Sequence, residues 1–559
     1  MKFRKFPFFI FLLLSFVLAT TRLYSQQLNV FPFENNSFYL EHSSIQNGHW
    51  NAAGVALQWY HGDSLFTEAA MTSETLNSVR AHYLQFADDS ARVSFFKEGE
   101  RLWDNIYRNK GHFYEKYGEQ FYFQIDPLLE LGTWLSGAEA DGYTINGRGI
   151  LLNAGIGDRL KIFSSLQEIQ RSFAQYTNEY IRDYRAVPGT ILAKGYSSDL
   201  YGIQGGRDYN VARAMVQYEV NDWLQMSMGH DNNFIGNGYR SLLLSDFSAP
   251  YFHLKINTHL GRFHYQNIFA EISAEGTSDR RGDLLLTKKY FVNHYLGVSL
   301  TEDLSVGLSE TVVFSRANQF ELQYLNPVIF YRSVEHTLGS PDNVILGMNA
   351  HWDLFDRLRF YGQFTFDEFK FNEMFIDNNG WWGNKWGSQL GAQITDVALQ
   401  NSILRVEWNR LRPYTFQHRD SVSNFTHARQ PLAHPSGANL NEWLLEWTWL
   451  PNSNWRLRFL GMYQTSGIQR PNEINIGSNP NQDFSDRTND YGIYLINGPD
   501  QDILFGLLEL QRRLWNQLNF SLEYRFRQQE ISGNSDLSRE EHYIGLSLRW
   551  NWPTRDFAI

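Results

Sequence analysis

Residues 516–526 read NQLNFSLEYRF, and taking every second residue divides the stretch cleanly in two. Leu518, Phe520, Leu522, Tyr524 and Phe526 fall on one face; Asn519, Ser521, Glu523 and Arg525 fall on the other, continued by Arg527. A period of two with one face wholly apolar is a β-strand, because successive side chains point to opposite sides of a sheet. A soluble sandwich would bury the apolar face against a second sheet. A transmembrane barrel turns it to lipid and keeps the polar face on a wet lumen. The polar face here alternates charges of both signs, which predicts the second arrangement.

Other stretches repeat the pattern. Trp455, Leu457, Phe459 and Tyr463 alternate with Arg456, Arg458 and Gln464; Ala212, Ala214, Val216 and Tyr218 alternate with Arg213, Gln217 and Glu219. Leu358, Phe360, Phe364 and Phe366 alternate with Arg359, Gln363 and Asp367. Mixed charges along the inner face predict a lumen cross-linked by ion pairs rather than a wide open pore, with loops or a plug as an equal way to fill it. Candidate strands start near residues 119, 143, 159, 209, 222, 251, 261, 287, 302, 321, 342, 356, 386, 400, 440, 453, 502, 516 and 541. Bacterial single-chain barrels close with an even number of strands, so the expected fold is all-β, a transmembrane antiparallel β-barrel of about 18 strands.

The connections give a second signal. Short polar turns recur at 220–223, 259–262, 300–303, 354–357, 450–453 and 514–517. Between them come long, polar connections rich in Gly and Asn at 231–249, 273–286, 370–385, 416–438, 466–500 and 531–540. Tight turns on one side and long loops on the other are the outer-membrane arrangement of periplasmic turns and extracellular loops. Trp223, Trp449, Trp515, Trp550 and Trp552 stand at strand ends, where an amphipathic ring suits the headgroup zone. The last strand, HYIGLSLRWNW, is expected to present Ile544, Leu546, Leu548, Trp550 and Trp552 outward. Such a closing strand suits recognition by barrel-assembly machinery, although the chain runs on through PTRDFAI.

Composition narrows the classes. The 559 residues carry net charge −11 and no cysteine, so disulfides and thiolate metal sites are excluded and no basic footprint for nucleic acid exists. No stretch after the first residues approaches 18 uninterrupted apolar side chains, which excludes a helical membrane protein. Residues 1–25 read as a signal peptide: Lys2, Arg4 and Lys5 precede the apolar run Phe6 to Leu18. Residues 26–117 contain helix-like spacing, in which Phe96, Leu102 and Ile106 share a face, and are expected to form a small, partly helical periplasmic domain. Residues 118–559 are then the outer-membrane barrel, monomeric, with lipid as its surroundings.

The most distinctive segment is Gly229 to Pro250, GHDNNFIGNGYRSLLLSDFSAP. Its Gly229–His230–Asp231, Phe234–Ile235–Gly236–Asn237–Gly238–Tyr239–Arg240 and Leu242–Leu243–Leu244–Ser245–Asp246 resemble the Wzi family of capsule-assembly outer-membrane barrels. The helix-like Ser172 to Arg185, followed by Val187–Pro188–Gly189, resembles that family too. With LNPVIFYRSVEH (Leu325 to His336), the chain is similar to members from the Bacteroidetes, some called gliding-motility protein RemB. The resemblance covers roughly residues 120–559. It implies an eighteen-stranded barrel with a helical periplasmic element and a role at the cell surface. In capsule-producing members the barrel behaves as a lectin that holds exported polysaccharide on the outer leaflet. Alternatives are a gliding-motility or surface-adhesion component and a passive porin.

Gly236 and Gly238 flank Asn237 and permit positive φ or close backbone approach. Arg240, Asp231 and Asp246 can offer hydrogen-bonding groups to sugar hydroxyls or an acidic polymer, or satisfy one another in a buried turn. Trp381, Trp382 and Trp386, in GWWGNKW, can pack on sugar rings from an outer loop, or fill that loop's own small core. Catalysis has little support: Ser245 and Asp246 lie near His230 and His253, yet no GxSxG elbow or HExxH is present. Asp377–Asn378–Asn379–Gly380 lacks the twelfth-position Glu of a calcium loop, so no metal and no cofactor is expected.

Overall fold

A computed structural model describes residues 112–559, apart from 119, 138–140, 158, 277–284, 317–318, 329, 340–341, 356, 369, 378, 453, 470–473, 516–517, 534–537 and 554–557. The expected signal peptide and nearly all of the expected N-terminal domain therefore lie outside the described residues. Within the last residues of that domain, Tyr114–Tyr117 is a strand paired with Tyr122–Ile125.

Among the described residues the main sheet holds twenty strands, all paired antiparallel. Two of them, Tyr114–Tyr117 and Lys194–Ser198, only extend the edges of neighbours. The other eighteen close a ring. Closure runs through the first and last strands of the ring, Phe121–Ser136 and Arg539–Trp550, from Leu129 opposite Trp550 to Ser136 opposite Tyr543. A closed ring leaves no unpaired edge, which is what a sheet in hydrocarbon requires.

The register confirms the face assignment. Arg525 stands opposite Tyr543 and Leu507, and Glu523 opposite Gly545 and Glu509, all on the lumen side. Leu522, Tyr524, Leu504, Leu508 and Ile544 point outward and are exposed. The inner charges pair as their alternation predicts. Arg405 and Arg458 hold Glu446 at 2.5 and 2.9 Å, Arg359 holds Asp353 at 2.5 Å, and Arg549 bonds Glu509. Small and large residues also interlock across the inner wall. A Cβ on Gly391 would lie 2.1 Å from the Tyr361 ring, so only glycine fits beneath that ring.

The loops sort as expected. Short turns at 222–223, 261–262 and 300–303 share one end of the barrel, and the long connections 172–202, 232–250, 315–342, 412–439 and 468–499 rise from the other. The first of these long connections contains α1 (Gln175–Tyr184), the helix anticipated at Ser172 to Arg185. It stands at the long-loop end, packed into the lumen, rather than on the periplasmic side. The third contains α2 (Tyr331–Leu338), and the connection 369–384 contains α3 (Phe371–Phe375).

One expected position is corrected. Trp550 ends its strand, and Asn551 takes a left-handed conformation with φ 51°. That turn carries Trp552 inside, where it is buried over Gly147 instead of joining the outer girdle.

Candidate functional site

Three long connections fold back into the barrel and contact one another. The connection 232–250 hangs from the inner wall by side chains of four neighbouring strands. Gln363 donates from Nε2 to the Ile235 carbonyl (2.9 Å) and accepts from the Leu242 N–H (2.7 Å). Gln389 donates to the Arg240 carbonyl at 2.9 Å. Glu407 accepts from the N–H groups of Tyr239 (2.7 Å) and Arg240 (3.1 Å) and from the Tyr361 hydroxyl (2.8 Å). Both loop glycines have the reason foreseen for them. Gly236 has φ 140°, and a Cβ on Gly238 would meet the Glu407 carboxylate at 2.4 Å.

The connection 412–439 completes the filling. The Ser245 N–H and hydroxyl donate to the carbonyls of Leu432 (2.7 Å) and Ala433 (2.5 Å). Gln430 accepts from the Gly189 N–H at 2.7 Å and donates to the Thr190 carbonyl at 2.8 Å, tying in the segment after α1. Tyr180 of α1 stacks on Tyr184 and meets Phe247 edge-on, while Tyr176 meets Phe505 of the wall. Irregular backbone at membrane depth is tolerated where protein surrounds it and satisfies its polar groups, and these wall amides and carboxylates do that.

The residues singled out from the sequence take distinct places. Arg240 is buried and bidentate on Glu442, at 3.3 and 3.2 Å, and also donates to the Ala558 carbonyl at 2.6 Å. Glu442 in turn meets His434 at 3.1 Å. Asp231 is buried, accepts from the Asn232 N–H and stands 3.5 Å from Arg213. Asp246 is open to water although the barrel walls it in. That enclosure raises its carboxyl above the ordinary range, and the Arg213 guanidinium opposes the rise.

The tryptophans divide. Trp381 and Trp382 are buried in a small core with Tyr414 and Ile493, and Phe484 packs against it. Their faces are covered: Lys370 lies 4.3 Å over Trp381 and Arg487 lies 3.8 Å over Trp382. Trp386 sits on the outer wall, stacked on Phe364 at 5.6 Å with Arg410 beside it.

What the sequence reading missed lies above that core. Two outer connections are joined by backbone bonds from Gly492 to Asn379, Ile493 to Gly380 and Trp382 to Asp490. This ribbon holds Tyr491 and Tyr494 outward, 51% and 53% exposed, and the Tyr491 hydroxyl donates to Glu373 of α3 at 3.1 Å. The signal was DYGIY, Asp490 to Tyr494, in a tract otherwise rich in Asn and Pro.

Fold and filled lumen together define an outer-membrane β-barrel. Among solved structures the chain is similar to Wzi, an outer-membrane protein involved in group 1 capsule assembly in Escherichia coli and described as a carbohydrate-binding β-barrel. The TM-score is 0.50 at 11% identity, over 94% of this chain and 100% of that one. OprD of Pseudomonas aeruginosa aligns at TM-score 0.40 and 11% identity, over 77% of this chain and 94% of that one. OccK8 (OprE) of the same organism aligns at 0.40 and 9%, over 77% and 97%. No protein-family model matches the chain, and no curated protein matches it. At 11% identity the likeness to Wzi is one of fold, and this chain has a Wzi-like fold.

Proposed function

We propose that this protein binds exported polysaccharide at the cell surface, with its outer loops as the binding face and its barrel as a closed support. The observation that carries the reading is the lumen filling. A passive porin keeps a water-filled path, whereas here three connections are bonded to the wall and to one another through buried charges and amides. Binding therefore falls to the outer surface, where Tyr491 and Tyr494 offer rigid apolar faces with polar tips suited to sugar rings. Trp381 and Trp382 support that ribbon from below.

The test pairs two measurements on the purified full chain. Planar bilayers are expected to show almost no steady conductance, and a column of immobilised capsular polysaccharide is expected to retain the protein. Tyr491→Ala and Tyr494→Ala should each weaken retention by about 1 kcal/mol, roughly fivefold in Kd. Steady conductance without retention would replace this reading with the porin.

A further inference from the structure

The connection 315–342 does not fold into the lumen. It lies against the outside of the barrel. The outward faces of the strands Phe263–Ser273, Lys288–Ser299 and Leu304–Phe314 follow from their register: Tyr290 opposite Phe314, Val292 opposite Val312, His294 opposite Glu310 and Asn267. These belong to the face that elsewhere meets lipid, yet here they are covered. Phe269, Tyr290, Val292, Val312, Phe314 and Val344 form one buried cluster with Tyr324, Tyr331 and Val334 of the connection.

The covering segment is turned in a particular sense. Its polar backbone faces the wall. Glu310, an outward-facing carboxylate, accepts from the N–H groups of Tyr331 (2.9 Å) and Arg332 (3.0 Å) at the start of α2. The Pro327 carbonyl accepts from the Tyr265 hydroxyl and from Asn267 (3.3 Å). The His294 ring packs on Tyr331 with centroids 3.8 Å apart. While Tyr324, Tyr331 and Val334 pack inward, four other apolar side chains face away: Leu322, Leu325, Val328 and Phe330 are exposed, the last two by 79% and 77%. A loop in water would show the opposite sense. Hydrocarbon selects this one, because an unsatisfied backbone group there costs several kcal/mol, about as much as the apolar faces gain.

Position agrees. One outward rung toward the short-turn end from His294 and Glu310 stand Leu296 and Leu308, bare and exposed, so the segment borders uncovered lipid-facing wall. Beyond Phe330 the residues of α2 whose exposure is described and that face water or headgroups are polar, Arg332, Ser333 and Thr337, as at a headgroup boundary.

We infer that residues 319–338 form a strap seated in the outer leaflet against the barrel exterior, with Leu322, Leu325, Val328 and Phe330 in contact with acyl chains. The strap hides the polar row Asn267, His294 and Glu310 from lipid and anchors that side of the barrel at the interface.

The chain contains no cysteine, so single labels are clean. Val328→Cys and Phe330→Cys, each carrying a nitroxide, would be compared in phosphatidylcholine vesicles with Leu308→Cys on the bare wall and Leu200→Cys in an exposed turn. The ratio of collision with oxygen to collision with a water-soluble nickel chelate should match Leu308→Cys and exceed Leu200→Cys several-fold at both strap positions. A ratio like that of Leu200→Cys places the strap in water and overturns the inference. Exclusion of both quenchers, or spin–spin broadening that disappears on dilution with unlabelled protein, means that another protein surface covers the strap, and overturns it equally.

Discussion

Arg240 and Glu442, 202 positions apart in the chain, meet inside the barrel through two hydrogen bonds of 3.3 and 3.2 Å, with both side chains buried and that of Glu442 completely so. One comes from a connection and the other from the wall strand Leu440–Asn452, so the pair fastens filling to frame. Removing one partner of such a pair leaves an uncompensated buried charge, which costs about 3–5 kcal/mol. Arg240→Ala is therefore expected to release the connection 232–250 while the outer wall persists. The check is single-channel recording: the variant should show open events that the parent lacks, with the heat-induced shift in gel mobility largely kept.

Trp382 and Tyr491 are predicted to separate support from contact. Trp382→Ala empties a small core and should cost about 3–5 kcal/mol locally, loosening the connection 468–499. Limited proteolysis of intact cells should then cut that connection faster. Tyr491→Ala removes an exposed ring and one hydrogen bond to Glu373, so its proteolysis pattern should stay that of the parent while polysaccharide retention falls.

His427 supplies a pH dependence. It is buried, accepts from the Ser273 N–H at 3.0 Å and faces the Pro250 carbonyl at 3.4 Å, so its neutral form fits the site. Burial lowers its pKa from 6.5 to about 3, with Lys289 adding to the effect and the Pro250 carbonyl opposing it. A depressed value means that the undocked segment takes up the proton first as pH falls. Its contribution is thus complete above about 6.5 and is lost progressively between 6.5 and 3. Hydrogen exchange in the connection 412–439 should quicken from pH 7 to pH 4, and His427→Gln should flatten that response.

Much of the fold was legible because two-residue alternation is local. The lumen side of Asn519, Ser521, Glu523, Arg525 and Arg527 follows from neighbours alone, and so does the sorting of short turns from long loops. The two loop glycines were legible for the same reason, since positive φ or close approach is a property of the residue itself. The partners of the candidate residues were not. That Arg240 would be taken by Glu442, or Trp382 by Arg487 and Phe484, depends on how connections return after hundreds of residues, and no local period encodes it. Trp552 was misplaced by extending an alternation one step beyond the turn at Asn551. The strap was visible only as a segment, LNPVIFYRSVEH, because nothing in its order tells inside from outside.

The wall amides and carboxylates that hold the connection 232–250 come from consecutive strands between Leu358 and Asn452. Each of these contacts needs its neighbouring strand already in place, so the segment has nowhere to settle until that arc exists. The seating of this connection is thereby a late event in biogenesis, and an arc left incomplete would stay open to ions until the last of its members arrived.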